Sequence, residues 1–151
     1  MTLVVNPTAQ MIWEYDNYQF NSFCVLNGVV YGANADGVFV LDSGDTDDGA
    51  EIAAHWGHGK LPLTKTQSRV SHAYVSANAG GDLTLSLATD SGEPIEYAVS
   101  PREDGRQHRY RVATAKGAVG KYWQLSVRNE SGCDFRVDDI SLDVAPSMRR
   151  I

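Results

Sequence analysis

The chain has 151 residues, 42% apolar and 21% charged, with a formal net charge of −6. That is enough for one domain with a sizeable core. No apolar run of about 18 residues occurs, so no transmembrane helix or membrane insertion is expected. An acidic chain without a Lys/Arg cluster is not expected to bind DNA or RNA.

The start, MTLVVNPTAQMIWEYDNY, has neither a basic leader segment nor a long apolar run, so no secretory signal is expected. Cys24 and Cys133 lie far apart, and buried free thiols are expected. The charge is segregated. Met1 to Gly59 carries eight acidic side chains and no Lys or Arg, giving −8, whereas Lys60 to Ile151 sets 13 basic against 11 acidic residues, giving +2. Such asymmetry predicts electrostatic docking, within one chain or between chains.

Residues 1–17 are weakly patterned and read as an extended arm anchored by Trp13 and Tyr15. The arm either covers the core edge as a first strand or docks on a neighbour. From 18 to 50 a meander is predicted. Asn27-Gly28 is a strong hairpin signal, because both turn positions of that type require positive φ. Asn34-Ala35-Asp36-Gly37 turns the chain again into Val38–Leu41. The acidic loop Asp42–Glu51 closes the meander. Its Asp45, Asp47 and Asp48 are weak candidates for calcium, since the spacing departs from the EF-hand pattern, and a solvated, Asp-rich turn is the preferred reading.

Residues 51–144 read as a β-sandwich core. Glu51–Trp56 and Arg69–Ala77 are predicted strands joined by a loop that begins at His58 and contains Pro62. Leu83, Leu85 and Leu87 alternate cleanly, Asp90-Ser91-Gly92 turns, and Ile95, Tyr97 and Val99 return. On Gln107–Ala113, Tyr110 and Val112 face inward and Arg109 and Arg111 outward. Trp123, Leu125 and Val127 form the next inward row. The following row changes parity, from Cys133, Phe135 and Val137 to Ile140, Leu142 and Val144, so a bulge is predicted at Asp138-Asp139. Deleting one of these aspartates is expected to expose an apolar row. Residues 145–151 read as a tail that leaves the sandwich after Pro146. The fold class is therefore all-β, an antiparallel, jelly-roll-like β-sandwich with an N-terminal β-meander and arm.

Chemistry is sparse. No nucleophile elbow, phosphate loop, H-E-x-x-H or C-x-x-C occurs, and His55, His58, His72 and His108 do not build a zinc shell. Asp138 and Asp139, as strand neighbours, are expected to point to opposite faces and so not to flank one glycosidic bond. No catalytic residue, metal or cofactor is expected, and the chain reads as a non-enzyme. Trp56, beside Gly57, is the candidate for an exposed ligand platform. Trp13, Tyr15, Arg109, Arg111, Arg149, Arg150 and Ile151 are the candidate assembly residues.

Two resemblances lie in the C-terminal half. Phe135-Arg-Val-Asp138-Asp139-Ile-Ser-Leu142 resembles the closing strand of jelly-roll carbohydrate-binding modules. More fully, the chain from Val38 onward resembles the C-terminal region of bacteriophage tail structural proteins. The likeness rests on Gly37–Asp42, Gly44-Asp-x-Asp47-Asp-Gly49, Arg69-Val70, Ala73-Tyr74, Gly120-Lys-Tyr122-Trp123-Gln124, Asn129-x-x-Gly132-x-Asp134-Phe135 and Arg149-Arg150. It implies a virion component of a tail tip or baseplate, assembled in the host cytoplasm as a homo-oligomer with other tail proteins. The alternative expectation is a carbohydrate- or host-receptor-binding module.

Overall fold

In the computed structural model the described residues are 2–147 apart from 9, 16, 17, 42–45, 48, 91, 103 and 116; for 2, 4, 11 and 13 the backbone alone is described. The fold is all-β, with no helix among the described residues. The chain divides into Met1–Gly44 and Asp45–Ile151, so the boundary falls inside the acidic loop.

The first unit differs from the expected extended arm. β1 (Thr2–Asn6) and β2 (Met11–Tyr15) form an antiparallel hairpin, Thr2 opposite Tyr15 and Asn6 opposite Met11. β3 (Ser22–Leu26), β4 (Val29–Ala33) and β5 (Val38–Leu41) make the predicted meander. Asn27 and Gly28 take φ of 52° and 81°, the conformation that such a two-residue turn needs. Gly32 is required by packing, because a Cβ there would lie 2.7 Å from the Phe20 ring.

The second unit opens with a short hairpin, β6 (Thr46–Asp47) and β7 (Ala50–Glu51), and continues as a sandwich. One sheet has four strands in the order β11 (Ile95–Val99), β10 (Leu83–Thr89), β13 (Tyr122–Asn129), β8 (His55–Pro62). The other has three, β12 (His108–Ala113), β9 (Ser68–Ala79), β14 (Phe135–Pro146). The core between them is built from the predicted rows. Leu83, Leu85 and Leu87 of β10 and Trp123, Leu125 and Val127 of β13 meet Val70, Ala73, Val75, Ala77 and Ala79 of β9. A fully buried leucine or valine there stabilises by about 1.5–3 kcal/mol.

Three details depart from expectation. β8 does not end near Trp56 but runs through Gly57, Gly59 and Pro62, because it is an edge strand that pairs with β13 alone. β14 runs on to Pro146, and Ser147 still donates its N–H to Gln67 O at 2.8 Å, so the chain leaves the sheet later than predicted. The thiols are free, but Cys24 is exposed and Cys133 only half-buried.

The bulge lies where the parity change put it. Val137 pairs with Ala77 and Asp139 with Ser76, leaving Asp138 as the extra residue. The register also corrects the expectation about deletion. Without Asp138 the pairs Val137–Ala77, Asp139–Ser76 and Ile140–Val75 would follow one another in regular alternation, so no apolar row would be exposed. A second shift, between Asp143 and Val144, makes Ser71 of β9 the extra residue and turns both Ser71 and His72 away from the core.

Candidate functional site

Three surfaces carry functional chemistry. The first is the apolar area of the N-terminal unit. Among its described hydrophobic residues only Leu41 is buried. Cross-strand pairs share a face, so Cys24, Leu26, Val29, Tyr31, Ala33, Val38 and Val40 lie on one side of the meander. That side has no charged residue, and Leu26 is 60% and Val38 72% exposed. The opposite side is partly covered by Phe20, whose ring centroid lies 6.0 Å from Phe23 and 5.6 Å from Phe39. On the hairpin, Leu3, Val5 and Ile12 are exposed as well. Sheets with two apolar faces are ordinarily covered on both. Of the predicted anchors here, Tyr15 is half exposed and stacks on Tyr18 at 5.3 Å, while the side chain of Trp13 lies outside the described residues.

The second surface is the outer face of the β12-β9-β14 sheet, where both predicted arginines stand. Arg109 lies 4.8 Å from the Tyr74 ring centroid and donates to Ser141 Oγ at 2.8 Å. Arg111 Nη2 lies 2.6 Å from His72 Nε2. A guanidinium can only donate, so His72 Nε2 is the acceptor of this pair, and His72 Nδ1 lies 3.7 Å from Asp143 Oδ2. Tyr74 donates its hydroxyl to the same Asp143 oxygen at 3.2 Å. His72 and Tyr74, two positions apart on β9, share this face by ordinary alternation. Neither arginine forms an ion pair among the described residues, so both charges are open to an outside anion.

A groove at the open edge of the sandwich is the third. Trp56 lies opposite the buried Val127, so it projects from the inner face of β8, yet at the sheet's edge it stays 46% exposed. His58 stands opposite Leu125 on the same face, its ring 6.3 Å from the Trp56 ring, whereas His55 pairs with Arg128 on the other face. With Val137, Asp138, Asp139 and Ile140 of β14, Trp56 lines a groove of about 190 Å³. Sequence reasoning misjudged the two carboxylates. Val137 and Ile140 both face the core, so the extra residue of the bulge turns Asp138 and Asp139 outward together rather than to opposite faces. The parity change already contained that signal.

The remaining candidates are not brought together. Asp47 is exposed on β6, Asp45 and Asp48 lie outside the described residues, and no cluster of metal-ligating groups occurs among those described. Arg149, Arg150 and Ile151 also lie outside them. Displaced pKa values belong to exposed pairs. The Thr84 hydroxyl, then Arg128, hold Glu130 below the usual carboxylate range, and His108 does the same for Asp104. Each is held charged by a partner, which suits a surface strap and not a poised acid or base. Compared with known proteins, the chain matches no family model, no curated protein and no solved structure.

Proposed function

We propose that the protein is a non-enzymatic structural component of a bacteriophage tail tip or baseplate, assembling with copies of itself and with other virion proteins. The observation that carries the assembly part is the uncharged, exposed apolar side of the β3-β4-β5 meander. Contiguous apolar surface of this kind marks an interaction site in a soluble protein. The assignment to a phage tail rests on the sequence resemblance.

Leu26→Glu with Val38→Glu tests the assembly reading. Both side chains point to solvent, so the variant should fold and melt like the parent. Analytical ultracentrifugation should find the parent associating with rising concentration and the variant monomeric. A parent that stays monomeric, alone and mixed with the neighbouring tail proteins, would overturn the reading.

Charge would orient the contact. The first 59 residues are free of Lys and Arg, and the face of Arg109 and Arg111 complements them. Exposed pairs contribute only about 0–1 kcal/mol each and are screened over about 8 Å in physiological salt. Arg109→Glu with Arg111→Glu should therefore slow association several-fold at low salt. The melting temperature should fall by no more than a few degrees, since the lost contacts are surface ones. Unchanged association rates would show that this face is not used.

A further inference from the structure

Arg109 and Arg111 stand two positions apart on β12, and the register shows that both lean the same way. Ser141, which Arg109 reaches at 2.8 Å, lies in the cross-strand row of Tyr74 and Arg111. His72, 2.6 Å from Arg111, lies one row further on, opposite Ala113. Each guanidinium is thus displaced by one row toward the C-terminal end of β12, which keeps the two about 7 Å apart, the repeat of alternate residues on a strand. Both are held in place. Arg109 Cζ lies 4.8 Å from the Tyr74 ring centroid, and each arginine spends an N–H on an acceptor that carries no negative charge. The carboxylates of this face do not pair with them. Asp139 shares the row of Arg109 but lies two strands away, about 10 Å. Asp143 accepts from the Tyr74 hydroxyl at 3.2 Å.

We propose that this pair of guanidiniums binds two carboxylates spaced two residues apart on an extended acidic segment of a second copy, one carboxylate to each arginine. A guanidinium presents a planar fork of N–H donors, and with one spent it can still take a carboxylate by two parallel bonds. Side chains at i and i+2 of an extended segment repeat at the same distance of about 7 Å, so the two sets of groups are in register. Carboxylates on adjacent residues point to opposite faces of such a segment and offer the sheet only one. The base-free first 59 residues carry the required spacing twice, in Glu14-Tyr15-Asp16 and in Asp45-Thr46-Asp47. Exposed ion pairs are weak singly. The match therefore decides which segment lands on this sheet and in what register, while the apolar side of the meander supplies the area.

The choice of a second copy as partner rests on the assembly reading, but the arginine site can be tested apart from it in the monomeric Leu26→Glu, Val38→Glu chain. The capped peptide of residues 42–51, DSGDTDDGAE, would be titrated while the Arg109 and Arg111 Nε–H resonances are followed. Saturable shifts of both are expected at millimolar peptide, weakened by salt. Two variant peptides of equal charge separate spacing from charge. Asp48→Asn keeps Asp45-Thr46-Asp47 and should bind within about twofold of the parent peptide. Asp45→Asn leaves no two carboxylates at i and i+2 and should bind about fivefold more weakly or worse. In the protein, Arg111→Lys keeps the charge and loses the fork, so a loss of about fivefold is expected at an unchanged melting temperature. Equal binding of the two variant peptides, full binding by Arg111→Lys, or an absence of saturable shifts would overturn the proposal. So would inorganic phosphate that shifts both resonances at lower concentration than the peptide. A parent that stays monomeric would bear on the assembly reading and leave the peptide result standing.

Discussion

Trp123→Ala should destabilise the sandwich by about 3–5 kcal/mol, the cost of emptying the site of a large aromatic side chain. For a unit of this size that is a fall of roughly 10–30 °C in melting temperature. The indole is 1% exposed and is more than a filler. Its Nε1–H is shared between Ser68 Oγ and Gly120 O, both at 3.2 Å. Ser68 and Gly120 are themselves bridged by paired backbone bonds of 2.9 and 3.0 Å, which tie the start of β9 to the entry of β13 and so one sheet to the other. Gly120 cannot carry a side chain there, because a Cβ would lie 2.7 Å from Asp90 Oδ1 and 2.8 Å from Thr89 Cβ. Trp123→Phe keeps most of the volume and loses the shared donor, so about 1–2 kcal/mol is expected. Urea unfolding followed by circular dichroism would measure both. A loss below about 1 kcal/mol for alanine would mean that the two sheets are held by something other than this contact.

Much of the sandwich was legible because its inner strands alternate in a period of two and its turns use Asn, Asp and Gly. Leu83–Leu85–Leu87 and Trp123–Leu125–Val127 needed nothing else. Even the Asp138 bulge could be read, since a change of parity inside one apolar row has few other causes. The illegible parts share a different physics. β1 and β2, TLVVN and MIWEY, are apolar without alternation, so no period of two marks them as strands. β8 carries two glycines and ends on a proline, which local propensity scores against a strand; it holds because only one of its edges must pair. The Ser71 bulge hid in a run where Ser, His and Ala blur the parity. For the groove, Trp56 was visible as a candidate. Its partners were not, because they lie about 80 positions further along the chain and meet it across a gap between sheets.

Asn129→Leu should destabilise by about 2–4 kcal/mol. Asn129 is buried at the end of β13, and its side chain makes three hydrogen bonds. The Ala54 N–H donates to Oδ1 at 2.8 Å, and Nδ2 donates to Ile52 O and Cys133 O, both at 2.9 Å. One amide thus clasps the segment entering β8 to the turn that leads from one sheet to the other. Gly132, at φ 68°, closes that turn against Glu51 and Ile52, with no room for a Cβ nearer than 3.0 Å. Leucine matches the volume but strands one donor and two acceptors, and each group left unpaired costs on the order of 1–3 kcal/mol where water cannot reach it. Residues 52–54 are not fully buried, so the total should fall below the sum of three such terms. Asn129→Asp separates the polar role from shape. Its carboxylate still accepts from Ala54 but faces the carbonyls of Ile52 and Cys133, which raises its folded pKa above the unfolded value. The resulting instability is present at neutral pH and is relieved as pH falls through that raised pKa, where the protonated acid can donate to one carbonyl. Leucine has no such recovery. Melting curves from pH 7 down to about 4, with hydrogen exchange at the Ala54 amide, would distinguish the two. If both variants lose the same stability at every pH, the clasp acts by packing and its hydrogen bonds are incidental.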